Sequence, residues 1–250
     1  MKLFWGFSAL FIWRLLTMLP ASAVNRMYRT EAYLGGIIMA TAILITVHTR
    51  FFGATKKSMP TPIYWLPLAF CAGCGFGIIG KELRNIGLSI ASETIPLAMA
   101  TPPNVSPTLA AMLASLVYPT CFVMVFCCVI AHAIYSPPKL WQALAITVII
   151  GSIGVPLPLI PKVIFVLGLP VWLYLRTQSV SLAILSYLPA NSLPLINALG
   201  INPGISGFDL EDPMKVILQP IWFNAFGAVL IALGLFPILN SLTLEDDETP

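Results

Sequence analysis

TLAAMLASLVYPTCFVMVFCCVIAHAIY, residues Thr108–Tyr135, holds no Asp, Glu, Lys or Arg and is long enough to cross a bilayer as one helix. The charge-free sequence around it is longer still, running from Glu93 to Lys139. Two more such gaps follow, Arg176 to Asp209 and Lys215 to Glu245, each with room for at least one span. Of the 250 residues 58% are apolar and 9% charged, with a mean hydropathy of +0.90. A soluble domain carries about 25% charged residues, so this chain cannot clothe itself in hydrated side chains. Backbone in lipid must satisfy its own hydrogen bonds, and helices do so within one segment. The chain therefore reads as a single all-α, polytopic integral membrane domain over residues 1–250, most simply in the cell (inner or plasma) membrane.

Apolar runs bounded by charge, proline or glycine set the expected spans. They fall at about 3–24, 32–49 and 62–80, the third ending at Lys81-Glu82-Leu83-Arg84. A short segment at about 86–101 stops at Pro102-Pro103. The long helix at 108–135 follows, and another starts near 140 and meets Pro156, Pro158 and Pro161. The chain resumes at 163–175, then 179–200, with a last helix at 216–239. The expectation is six to eight crossings, some discontinuous or re-entrant, and an acidic solvated tail over 241–250.

Residues 1–23 resemble a cleavable leader, with Lys2, an apolar run and Pro20-Ala21-Ser22-Ala23. Arg14 interrupts that run and Arg26 and Arg29 follow it, which favours a retained first membrane helix. Orientation stays open: Lys2, Arg50, Lys56 and Lys57 oppose Arg26, Arg29, Lys81 and Arg84, a tie under the positive-inside rule. Net charge is +3 and no basic block points to nucleic acid. Most of the six tryptophans fall near span ends, as interfacial anchors do. Gly73, Gly75, Gly77 and Gly80 give the third helix a smooth face for close helix contact.

Polar groups and breaks inside apolar sequence are costly unless they line a cavity or pathway. Two stretches stand out, Ser92-Glu93-Thr94-Ile95-Pro96-Leu97 and Asn191-Ser192-Leu193-Pro194-Leu195. Each follows a Leu-Arg pair, Leu83-Arg84 or Leu175-Arg176, and runs on into an Asn/Pro turn, which suggests an internal repeat, 83–104 and 175–204. Glu93 is the only acid between Glu82 and Asp209. It is the candidate titratable coupling group, against a plainer reading as an interfacial residue near Lys81 or Arg84. Arg14 and Arg176 are candidate anion-attracting cations; Arg14 also reads as a snorkelling residue. Ser92, Thr94, Ser152, Asn191, Ser192 and Asn197 are candidate hydrogen-bonding ligands. The turn Gly151-Ser152-Ile153-Gly154-Val155-Pro156-Leu157-Pro158 breaks a helix, freeing backbone groups for an ion or solute or merely kinking a packing helix.

Ser152-Ile153-Gly154-Val155-Pro156 followed by Gly168-Leu169-Pro170 resembles the second re-entrant hairpin of the dicarboxylate/amino-acid:cation symporters, the glutamate-transporter-like carriers. Ser92-Glu93-Thr94-Ile95-Pro96 resembles the serine-rich tip of that family's first hairpin, and Arg176-Thr177 is similar to an Arg-Thr pair in its last helix. The resemblance covers about residues 85–180 and implies a carrier with re-entrant loops or elevator-like motion. The family's Asn-Met-Asp-Gly-Thr cation motif has no counterpart near Tyr118-Pro119-Thr120-Cys121. No aspartate stands beside Arg176 where the family binds substrate.

Cys71-Ala72-Gly73-Cys74 and Cys127-Cys128 raise a rival reading, a membrane thiol oxidoreductase. Their flanks carry no cation to favour a thiolate, and cysteine is an ordinary small apolar residue in such cores. His48 and His132 are too few and too distant in sequence to propose haem or zinc, and no nucleotide or hydrolase motif occurs. The expectation is a non-enzymatic secondary transporter or permease component without cofactor or metal. It would move a small solute, coupled to H⁺ or Na⁺, with the segments at 92–104, 151–158 and 190–204 meeting near mid-membrane. A non-catalytic subunit of a larger complex is the other alternative, and homo-oligomers or hetero-complexes are open.

Overall fold

A computed structural model of the chain describes residues 2–23, 29–53, 61–91, 107–134, 139–201, 203–208 and 216–247. The chain is 85% helical, with no strand among the described residues. Helices α1 (Lys2–Ala23), α2 (Arg29–Phe52) and α3 (Trp65–Ala91) come first. Helical pieces then run on from Pro107 to Ile134 as one rod, α4. After it come α5 (Leu140–Ser152), a 3₁₀ turn (Leu157–Leu159) and α6 (Ile160–Thr177). The last elements are α7 (Val180–Tyr187), a 3₁₀ turn (Pro189–Asn191), α8 (Leu193–Ala198) and α9 (Ile221–Asp247). Five stretches are long and apolar enough to cross a membrane: Tyr33–Phe52, Trp65–Ile90, Ala110–Ile134, Leu157–Thr177 and Ile221–Leu242. Shorter apolar helices cover Phe4–Thr17, Leu140–Ser152 and Val180–Asn191. The protein is an all-α, multi-pass membrane protein.

Proline chemistry explains most irregularities. Pro119 has no N–H and its ring crowds the carbonyl one turn back, so α4 widens into a π-helical stretch at Leu113–Val117. A second π stretch, Val125–Ala131, is buried throughout. Pro189 and Pro194 cut the expected 179–200 helix into α7, a 3₁₀ turn and α8.

Two expected ends are corrected. The third helix does not stop at Lys81: α3 continues to Ala91, and Glu82 sits within the helix with the Gln219 N–H as its partner. The last helix starts at Ile221, after an extended 216–220, and runs through Asp247, so part of the expected acidic tail is helical. Leu242 on it is buried.

Helix α6 joins two cores. Leu167, Val171, Tyr174 and Leu175, at helical spacing, face a core built from α1, α2, α4 and α5. Leu169 and Leu173 face a second core of α3, α7 and α9 residues, among them Trp65, Ala69, Leu182 and Ile238. At the centre of the second core, α3 meets α9 antiparallel, Gly75 against Gly227 and Gly234 against Leu68 and Ala72. α6 is also antiparallel to α3, with Gly80 at Val166 and Gly87 at the Pro158 carbonyl. α7 and the turn after it run parallel to α3, with Gly73 at Ser186 and Gly77 at Ala190. A methyl on Gly77 would lie 2.8 Å from the Ala190 Cα, so only glycine permits that approach.

Candidate functional site

α5 is 13 residues long and so rises about 20 Å, short of the about 30 Å hydrocarbon layer. It ends at Ser152, whose hydroxyl donates to the Val148 carbonyl at 3.0 Å. The chain then turns: the Val155 N–H donates to the Ser152 carbonyl at 3.1 Å and the Leu159 N–H to Pro156 at 2.8 Å. Gly154 adopts φ +74°, the left-handed region that side chains resist. A Cβ there would lie 2.6 Å from Nη1 of Arg14, so the guanidinium rests directly on the turn. Arg14 is twelve residues along α1, about 18 Å, which matches the depth of the α5 break. Tyr118 on α4, itself beside Tyr33 on α2, lies within reach of the Arg14 charge.

Two further cations lie near the start of α6, where it leaves the turn. The Pro158 carbonyl packs on Gly87 of α3. One turn into α6, the Lys162 side chain lies along Gly80 and beside the Arg84 guanidinium. Lys162 also sits at the positive end of the α6 dipole, which disfavours a cation. Gly154 and Pro158 are four residues apart, at most about 14 Å. Arg14 thus rests on the turn, while Arg84 and Lys162 lie together where α6 leaves it, and none of the three pairs with a carboxylate among the described residues.

Glu82 is occupied elsewhere. It accepts the Gln219 backbone N–H at 2.8 Å, while the Gln219 amide donates to the Ile78 carbonyl at 3.2 Å. Asn85, 4% exposed, donates to the carbonyls of Gly207 and Ile217 at 2.7 and 3.0 Å. These bonds dock the segment before α9 onto α3 and let charged residues stay inside a span. The Gln219 Oε1 is buried without a partner among the described residues.

The other expected ligands fall into three groups. Ser92, Glu93 and Thr94 lie outside the described residues. Ser152, Asn191 and Ser192 donate to their own helical segments, Asn191 to Tyr187 at 3.0 Å and Ser192 to Pro189 at 2.8 Å. Asn197 keeps a buried Oδ1 without a partner among the described residues, and Arg176 is exposed at the end of α6. The breaks at 151–158 and 190–204 both pack on α3, but at Gly87 and Gly77, about 15 Å apart along the helix. α3, not the break tips, is their common partner. Cys71 and Cys127 donate to the Leu230 and Pro170 carbonyls at 3.7 and 3.8 Å, and all five cysteines are free thiols.

Sequence reasoning missed Lys162, which looked like an ordinary charge between prolines; only its helix N-terminal position hinted at a misfit. It also missed the pairing of His48 with His132, which α2 and α4 bring within 2.8 Å. No family model, curated protein or solved structure matches the chain.

Proposed function

We propose that the chain is a membrane carrier, or the permease component of one, for a small anionic solute. The observation that supports this is Arg14 of α1 seated on the helix break, with Arg84 of α3 and Lys162 of α6 side by side where α6 leaves it. Like charges gathered at membrane depth are expensive unless a counter-charge or water relieves them. A carboxylate or phosphate held against Arg14, Arg84 and Lys162 would supply that relief. The hairpin of α5 and α6 is the segment that resembles the symporter hairpin. Glu93, two residues beyond α3, is the proposed coupling group for H⁺ or Na⁺.

Purified protein in liposomes, given labelled small carboxylates and phosphates under an imposed pH or Na⁺ gradient, tests the reading. At least one anion should accumulate, and Arg14→Gln should cut its uptake tenfold or more, an effect of about 1.4 kcal/mol or larger. Glu93→Gln should flatten the pH dependence. Anion flux indifferent to Arg14→Gln, Arg84→Gln and Lys162→Gln alike would sink the assignment.

A further inference from the structure

Outside that break, the described residues hold one hydrogen-bonded chain of titratable rings. The Trp5 indole Nε1–H on α1 donates to Nδ1 of His48 on α2 at 3.1 Å. Nε2 of His48 lies 2.8 Å from Nδ1 of His132 on α4, with the rings edge-on at 74°. His48 is fully buried and stacks on Phe52 at 4.9 Å. His132 is half-buried.

Indole is a donor only, so the His48 Nδ1 must carry a lone pair. The His48 proton is therefore on Nε2 and is donated to His132 Nδ1, which leaves the His132 proton on Nε2. One ring chain, read from one end, sets both tautomers. Adding a proton breaks this order. If His48 takes it, Nδ1–H faces the indole N–H, donor against donor. If His132 takes it and keeps the bond between the rings, His48 must shift its own proton to Nδ1, with the same clash. The imidazole–imidazolium bond is charge-assisted and the stronger of the two. The Trp5 bond is the one lost.

We propose that His48 and His132 form a single-proton binding site whose occupation unlatches the Trp5 end of α1. The groups around the pair agree with this arrangement. Among the described residues the only titratable group acting on His48 is His132. On α2 the nearest formal charge is Arg50, exposed, and ahead of α5 it is Lys139, exposed. α1 brings Trp5 and Gly6 to this end, Gly6 packing among Ile130, Ile134 and Ile150. The same helix carries Arg14 nine residues on, about 13 Å away. Loosening one end of α1 thus acts on the guanidinium at the α5–α6 break, a link to solute that rests on the carrier reading.

The chain has only two histidines, so ¹⁵N-histidine labelling of the whole protein in lipid nanodiscs gives two ring systems to follow against pH. Expected is a neutral His48 with bare Nδ1, one proton taken up by the pair in a first step, and a second only at distinctly lower pH. The Trp5 indole resonance should move with the first step. Trp5→Phe removes the bond that favours the neutral pair, so the first midpoint should rise by about 0.5–1 pH unit. His132→Gln should erase the two-step pattern. Two independent titrations near the ordinary histidine value, unmoved by Trp5→Phe, would overturn the proposal, as would a His48 protonated at Nδ1 in the neutral state. No solute enters this measurement. Its failure leaves the carrier reading standing, and the expected two-step titration with no anion flux removes the carrier reading alone.

Discussion

The bundle of α1, α2 and α4 and the bundle centred on α3 are held together by different means. In the first, side chains reach across. The Trp13 indole donates to Thr41 at 3.0 Å and packs on Tyr118 and Phe122, and the Trp5–His48–His132 chain closes the other end. In the second, backbones approach at glycines, and the stronger polar bonds there tie a loop segment to α3, with only the weak Cys71 thiol bond to Leu230 running from helix to helix. Lipid tails are as apolar as leucine, so burying apolar surface does little to join helices in a bilayer. Packing and polar contacts must do it, and each bundle relies mainly on one of them. The bundle that reaches across can rearrange by breaking a hydrogen bond. The glycine seam tolerates no such change, which suits it to be the fixed frame.

Substitutions can break this contrast. The largest effect is expected from Gly75→Leu, which drives a side chain into Gly227 and Ile231 of α9. We expect about 3 kcal/mol of destabilisation and loss of a monodisperse species in detergent. Gly35→Leu on α2, where nothing lies within 4 Å, should be nearly silent, and equal behaviour of the two would refute the seam. Asn85→Leu comes next. It strands two carbonyls and should cost about 2 kcal/mol, read as about thirtyfold faster hydrogen exchange at 203–208 and 216–219. Unchanged exchange would mean that the segment is held by something other than Asn85. Smallest is the Trp13–Thr41 bond: a double-mutant cycle with Trp13→Phe and Thr41→Val should give a coupling of about 0.6–1 kcal/mol. Zero coupling would reduce the first bundle to packing alone.

Much of the frame could be read in advance. The charge-free runs located α4 and α9, the prolines announced the breaks after α5 and α7, and the glycines of the third helix marked its packing faces. α3 itself was misjudged beyond Gly80. Lys81, Glu82 and Arg84 look like the end of a span, because charge in lipid is costly without partners. The partners of Glu82 and of the neighbouring Asn85 arrive from Gln219 and Gly207, more than a hundred residues later, and no local pattern encodes them. Arg14 and the Gly154 turn were each suspect, for the same reason of cost, but their contact joins residues 140 positions apart. His48 and His132 were set aside because 84 residues separate them, and helix packing removes that separation.

Solvent preference is a property of composition, so the string of residues was enough to determine a lipid-embedded helical protein and the points where its helices fail. Which polar groups share a neighbourhood depends on how rigid helices cross. Crossing is set by side-chain shape summed over whole faces, and only the folded chain decided that Arg14 sits on the Gly154 turn and two histidines share one hydrogen bond.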